Sequence, residues 1–249
     1  MSRLIASELL KLRTTRTAVA LTGSVLGIVV LISALTTFTG DFDSEDFNTV
    51  DVLAISGFSQ LIALVLGILA VTTEFRHGTI TPTLIAAPGR GRLLAAKLAA
   101  NTLAGLLLGA VAIGVCTAIV LGGLSVRDIP TGLESGDVTS LAVGQIVAGG
   151  LWAALGVGIG ALVGNQVGAI VGALAWTLLV ENLLTIVPWL GDQVQKYGIN
   201  GASNGLGNIE TQNTGDVLGQ VPGGLLLAGY ALAFLVAGLL VLRSRDVTS

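Results

Sequence analysis

Six runs of apolar residues, each long enough to cross a bilayer as a helix, decide what this chain can fold into. They occupy residues 17–38, 52–73, 98–124, 141–163, 167–188 and 222–242. A hydrocarbon core about 30 Å thick takes roughly 20 apolar residues in an α-helix. Only Gly164, Asn165 and Gln166 separate the fourth run from the fifth. A tight turn is expected there, because one unbroken helix over residues 141–188 would be about 72 Å long. The runs lack the strict alternation of apolar and polar residues that a membrane barrel imposes. An all-α integral membrane protein of six transmembrane helices is therefore expected, with the chain 1–249 forming a single transmembrane domain.

Composition agrees with that reading. Charged residues make up 11% of the chain and the mean hydropathy is +0.88, whereas soluble domains carry about 25% charged residues. Too few polar side chains exist to cover a water-soluble core. A net charge of −3 argues against general nucleic-acid binding, where a clustered basic face is expected. The single cysteine, Cys116, lies in an apolar run, so neither a disulfide framework nor a thiolate metal cluster is available and a packing role is expected. The first run follows Arg3, Lys11, Arg13 and Arg16 as a secretory signal core would. At 22 residues and with no clear small-residue cleavage site after it, it reads as a retained span.

Lys and Arg are retained on the cytoplasmic side of a membrane protein. With an inside start, ten of the twelve basic residues fall on inner segments: Arg3, Lys11, Arg13, Arg16, Arg76, Arg90, Arg92, Lys97, Arg243 and Arg245. Only Arg127 and Lys196 fall outside. Both termini are accordingly expected in the cytoplasm. Eleven of the fifteen acids fall on outer loops, which supports the same orientation only weakly because acids contribute little to sorting.

Two inner segments carry more than topology. Residues 1–16 set Leu4, Ile5, Leu9 and Leu12 at helical spacing with Arg3, Glu8 and Lys11 elsewhere around the helix. That pattern suits a short helix lying in the headgroup region, the alternative being a disordered basic tail. Residues 74–97 read EFRHGTITPTLIAAPGRGRLLAAK. Ile80, Leu84 and Ile85 have the spacing of a short amphipathic helix that Pro88 and Gly89 end. An exposed helix, turn and basic stretch can dock a soluble partner through apolar anchors and charges. A plain basic loop is the simpler alternative.

This segment, with its pattern E-[FY]-R-x-G-T-I followed by P-x-R-x-R-x-L-x-A-K, strongly resembles the loop between the second and third spans of permease subunits of type-2 ATP-binding cassette (ABC) transporters. The opening ELLKLRTTR of residues 8–16 is similar to that family's N-terminal element, and six spans with both ends inside match its plan. The resemblance implies a permease paired with a second copy, in a homodimer or with a related chain, and with cytoplasmic ABC ATPase subunits. It implies that residues 1–16 form an interfacial elbow helix and that the loop forms a cytoplasmic coupling helix between spans 2 and 3. Glu74, Phe75, Arg76, His77, Gly78, Thr79, Ile80 and Leu84 are then the expected ATPase-docking residues. Arg90, Arg92 and Lys97 are expected to be basic contacts at the inner surface, toward the ATPase or anionic lipid. Substrate would pass between two permease copies, and part of residues 190–221 would fold back as short helices.

No G-x-x-x-x-G-K-[ST] phosphate loop occurs in the sequence. The chain is thus expected to be a non-catalytic subunit that binds no cofactor itself, with ATP and Mg held by its partner. Residues 201–205, GASNG, match a G-x-S-x-G nucleophile elbow. The lone histidine, His77, falls on the opposite side of the membrane, so the match is read as chance. One histidine also excludes zinc sites of the two- or three-His kind.

Glu181 is the sole acid inside a span, where an uncompensated charge costs roughly 2.5 to 3.5 kcal/mol. Helix rise sets it roughly 10 Å below the outer interface, with Thr177 and Thr185 a turn away as expected partners. It reads either as a point on the translocation path or gate, or as a satisfied structural carboxyl. Gly156, Gly160, Gly164, Gly168 and Gly172 recur every four residues, a spacing that lets membrane helices approach closely. The turn at Asn165 makes an intramolecular seam the expected use. Trp189 beside Pro188 fits an aromatic anchor at the outer boundary, and Trp152 and Trp176 are expected only to pack.

The expected function is ATP-driven export across the plasma membrane, a bacterial one since no eukaryotic sorting signal occurs. The cargo is not legible, and export rests on the resemblance alone. The alternatives are a stand-alone carrier or channel centred on Glu181, or a non-transporting membrane scaffold.

Overall fold

The computed structural model of the chain describes residues 1–40, 42, 49–78, 89–131, 135–207 and 218–244. Within them every regular element is helical. The order is α1 (Ser2–Thr14), α2 (Arg16–Thr39), α3 (Thr49–Ala54), α4 (Phe58–Arg76), α5 (Arg90–Val126), α6 (Ser135–Val163), α7 (Gln166–Ala175), α8 (Glu181–Leu184), α9 (Gly191–Tyr197), α10 (Ile199–Gly207) and α11 (Gln220–Ser244). A 3-10 turn, Ile55–Gly57, joins α3 to α4, and a π-helical turn, Trp176–Val180, joins α7 to α8.

Each apolar run becomes one membrane-length helical segment. The six are Arg16–Thr39, Thr49–Arg76, Gly91–Val126, Val138–Val163, Gln166–Leu184 and Gln220–Ser244, so the fold is that of a multi-pass membrane protein. Two boundaries differ from expectation. The third segment begins about two turns early, since residues 90–97 continue α5 rather than forming loop; Leu93, Leu94, Ala95 and Ala96 are strong helix formers. The fifth ends at Leu184 rather than at Pro188, because Pro188 has no N–H to offer the Leu184 carbonyl.

The helix α6 is central. Of its most apolar window 67% is buried, against 17% for the Gln166–Leu184 and Gln220–Ser244 segments, and α4, α5 and α11 all pack on it. Glycine makes this crowding possible. A methyl group at Gly156 would overlap the Leu64 carbonyl of α4, one at Gly149 the Gly105 carbonyl of α5, and one at Gly158 the Phe234–Leu235 backbone of α11. The four-residue glycine series therefore splits. Gly156 and Gly160 form the expected intramolecular seam with α4, while the nearest atoms to Gly168 belong to Asn165 and Gly172 faces open space.

The turn between the fourth and fifth segments forms as expected. Gly164 is left-handed at φ 72, and Asn165 caps α7 by accepting from Gly168 N–H at 2.8 Å. Cys116 is fully buried and directs its thiol at the Val52 carbonyl, 3.4 Å away, within the core shared by α2, α3 and α5. After α8 the chain forms two short helices. The second, α10, turns back against α6 and α11 and buries Ile199, Ala202, Ser203 and Leu206.

Candidate functional site

At the end of the bundle where α4 stops and α5 starts, four charged side chains meet. Lys97 Nζ of α5 donates to Glu74 Oε1 at 2.6 Å, to Glu8 Oε2 at 3.1 Å and to the Ala70 carbonyl at 2.8 Å. Those three bonds use the whole donor capacity of an ammonium. Lys11 Nζ of α1 donates to Glu8 Oε1 at 2.6 Å and to Glu74 Oε1 at 3.0 Å. Two carboxylates thus alternate with two ammoniums, and the formal charges cancel. The side chains of Lys97, Glu8 and Glu74 are 3%, 6% and 10% exposed, and that of Lys11 is 52% exposed.

The local reason is plain. Glu74 stands in the last turn of α4, where the negative end of the helix dipole disfavours an acid, so it needs cations; α5 supplies one from its second turn and α1 the other. Burial opposes the charge on Lys11, but the hydrogen bonds and attraction of Glu8 and Glu74 outweigh it and hold its pKa above the ordinary 10.5.

Two expectations are corrected here. Lys97 does not face the inner surface as a basic contact; it is enclosed between α1 and α4. Glu74 is likewise interior rather than presented for docking. The helix α1 turns most of its apolar stripe inward, with Leu4, Ile5 and Leu12 half-buried and Leu12 packed on the core, but its one fully buried residue is Glu8, a turn from Leu4 and Leu12, while Leu9 is exposed. Glu8 can sit on that apolar face because Lys97 and Lys11 both bond its carboxylate, so the buried charge is paired.

Of the remaining expected docking residues, Phe75 is half-buried and packs near Val71 and Leu94. Arg76 and His77 are exposed, with Arg76 Nη1 donating to Gln166 Oε1 at 3.4 Å. Gly78 ends α4 in the left-handed region at φ 64, a conformation that favours glycine. Thr79, Ile80 and Leu84 lie outside the described residues. Arg90 opens α5, and Arg92 is exposed two residues later.

At the opposite end of α4 a chain of buried polar groups joins three helices. Trp152 Nε1 of α6 donates to Ser203 Oγ of α10 at 3.0 Å, Ser203 Oγ donates to Gln60 Oε1 of α4 at 2.7 Å, and Gln60 Nε2 donates to Gln145 Oε1 of α6 at 2.7 Å. Trp152 therefore does more than pack. The serine of the GASNG string is committed to this network, and His77 lies at the far end of α4 from Gln60, about 25 Å away by helix rise. The arrangement holds no serine–histidine couple. Isolated Gln60 and Gln145 at like depth in two apolar runs were the available signal for this network.

Glu181 is buried, and its partner is neither Thr177 nor Thr185, whose hydroxyls donate to carbonyls of their own helix. Its Oε1 accepts from Asn200 N–H at 2.8 Å, in the first turn of α10, where helix N–H groups lack internal partners and the dipole favours an anion. Asn200 reciprocates: its Nδ2 donates to the Thr177 carbonyl at 2.7 Å. That carbonyl lies in the π-helical turn 176–180, which has no counterpart in the apolar pattern. Glu181 also borders a cavity of about 590 Å³, with Leu64, Ile159, Trp176, Tyr230 and Phe234 among its walls. Among the described residues no group of three or more His, Cys, Asp or Glu could hold a metal ion.

No family model matches the chain, and no curated protein matches it significantly.

Proposed function

We propose that the chain is the membrane-spanning permease subunit of an ATP-driven transporter of the type-2 ABC class. In this reading it exports its substrate, pairs with a second permease copy, and is non-catalytic. A separate cytoplasmic ATPase subunit binds ATP and Mg. The observation that carries the reading is where the charge cluster sits. The family-like motif spans residues 74–97, from the last turn of α4 across the connection to the first turns of α5. Glu74 and Lys97, on the helices that flank that connection, are bonded to each other and to Glu8 of α1. A push on the connection would reach α1, α4 and α5 as one body instead of being absorbed by a pliant loop. Rigid-body motion of that kind underlies alternating access.

In this mechanism α1 is the elbow helix and residues 74–88 the coupling element, both on the cytoplasmic side with the two termini. The buried Glu8–Lys97–Glu74 bonds hold the lever, and the glycine seams of α6 let the spans rotate without opening voids. The excess of Lys and Arg on the same segments supports the orientation, in a bacterial plasma membrane.

The test is mild detergent extraction of the tagged protein from its host, with mass spectrometry of stoichiometric partners. The expected partner is a soluble protein with an intact G-x-x-x-x-G-K-[ST] loop. Recovery of the chain alone, where control transporter complexes survive, would overturn the proposal. The wall position of Glu181 on the 590 Å³ cavity favours the rival, a stand-alone carrier; transport that persists after ATP depletion and follows a proton gradient would select it.

A further inference from the structure

A second cavity, of about 580 Å³, opens beside the charge cluster, where α1, the start of α2, the end of α4 and the start of α7 meet. Its walls divide by chemistry. One part is apolar, built from Leu12, Leu66 and Leu69; the other carries Lys11, Arg76 and His77, with Thr15 and Gln166 beside them. Glu8 and Glu74 also border it, and their charges are met by Lys97 and Lys11. Arg76 is therefore the cation left over among the described wall residues. Its guanidinium has five N–H donors and makes one hydrogen bond, the 3.4 Å contact with Gln166.

A further wall residue, Asn101, is 1% exposed. Its Nδ2 donates to the Lys97 carbonyl at 2.8 Å, but its Oδ1 has no partner among the described residues. A buried acceptor of this kind is costly to leave unmade, so the cavity suits an occupant with a hydroxyl to donate and not hydrocarbon alone. The setting adds a third constraint: the cavity lies where membrane-length helices begin and end, with Arg76 in the last turn of one of them and Lys11 on the helix before the first.

We propose that this cavity binds the headgroup of an anionic, hydroxyl-bearing phospholipid of the adjoining leaflet, of the phosphatidylglycerol type. Arg76 holds the phosphate, a pairing that guanidinium geometry favours, with the one Lys11 N–H that Glu8 and Glu74 leave unused beside it. Asn101 Oδ1 is closed off from the cavity and takes the headgroup hydroxyl on a small turn of its side chain, and an acyl chain lies along Leu66 and Leu69. A free phosphate would leave those apolar walls uncovered, so the lipid is the chosen source. The bound lipid would brace α1 against α4 and α7 beside the ion cluster.

The test needs no ATPase and is independent of the transporter proposal. The purified full chain in uncharged detergent is titrated with phosphatidylglycerol, with phosphatidylcholine of the same acyl chains, and with glycerol phosphate, and bound lipid is counted by native mass spectrometry. Phosphatidylglycerol should bind preferentially, and Arg76→Gln should weaken it about tenfold or more, the loss of a charged hydrogen-bond pair. Asn101→Leu should weaken it less. Arg76 is exposed, so the variant should keep the parent's melting temperature; His77→Gln gives a second variant of the same rim. Equal retention of the two lipids, or unchanged binding by Arg76→Gln, would overturn the proposal. Glycerol phosphate binding as tightly as the lipid would overturn the lipid assignment in favour of a soluble phosphate compound.

Discussion

Replacing Lys97 with Met removes the central cation of the buried cluster while keeping nearly the same side-chain length. Three hydrogen bonds, at 2.6, 2.8 and 3.1 Å, disappear together. Glu8 and Glu74, at 6% and 10% side-chain exposure, are left with the half-exposed Lys11 as their only cation in the cluster. Breaking a buried ion pair from one side costs about 3–5 kcal/mol, because a charge stays buried and uncompensated. At about 2–4 °C per kcal/mol for a chain of this size, the melting temperature should fall by about 6–20 °C. The assay is thermal unfolding of the purified protein in detergent, followed by loss of the monodisperse peak. Adding Glu8→Gln and Glu74→Gln to Lys97→Met should restore most of the loss, since no buried charge then lacks a partner. A Lys97→Met variant that melts within about 2 °C of the parent, or a triple variant worse than the single one, would refute the reasoning.

Other perturbations follow from the same structure. Gly156→Leu should cost at least about 1–3 kcal/mol through overpacking against the Leu64 carbonyl, whereas Gly172→Leu, facing open space, should be near neutral; parallel melting curves compare them. Ser203→Ala should cost about 1–3 kcal/mol by stranding the buried donor of Trp152, read in the same melts, with red-shifted tryptophan emission if α10 loosens. Lys11 has a folded-state pKa above 10.5. Its pairing therefore adds stability that is fully present below that value and is lost as pH rises through the folded pKa. Alkaline melts from pH 10 upward should show a steeper fall for the parent than for Lys11→Met. Arg127→Ala removes the donor that closes the Thr37 and Gly40 carbonyls at 2.6 and 3.1 Å. It should lower stability by about 1–3 kcal/mol and speed hydrogen exchange at the end of α2.

Most of the fold was legible because membrane burial writes itself into long runs of one chemistry. Residues 17–38 and 222–242 became helices Arg16–Thr39 and Gln220–Ser244 with shifts of one or two residues at each end. The Gly164 turn was readable because only a break could accommodate a largely apolar stretch of 48 residues, and it formed with a left-handed glycine. Periodicity failed where the decisive contact is long-range. Nothing near Glu8 in the sequence indicates that Lys97, 89 residues later, lets this acid be buried on the same face as Leu4, Ile5 and Leu12. Glu181 stood out by its charge in an apolar run. Its partner was not legible, because the bond comes from the backbone of Asn200, whose approach depends on α9 and α10 folding back. Lys97 was misread as surface because it follows a basic stretch, whereas its helix begins two turns earlier than the apolar run.

The central claim, that residues 74–88 meet a cytoplasmic ATPase, is tested most directly by site-specific photocrosslinking in living cells. A photoreactive residue is introduced at Ile80 or Leu84, and at the exposed Trp189 as a control at the other end of the bundle. The account predicts adducts from Ile80 or Leu84 to a soluble protein carrying a G-x-x-x-x-G-K-[ST] loop, and none from Trp189. Failure of both loop positions to capture such a protein, while the control positions of a known transporter do so in the same cells, would contradict it.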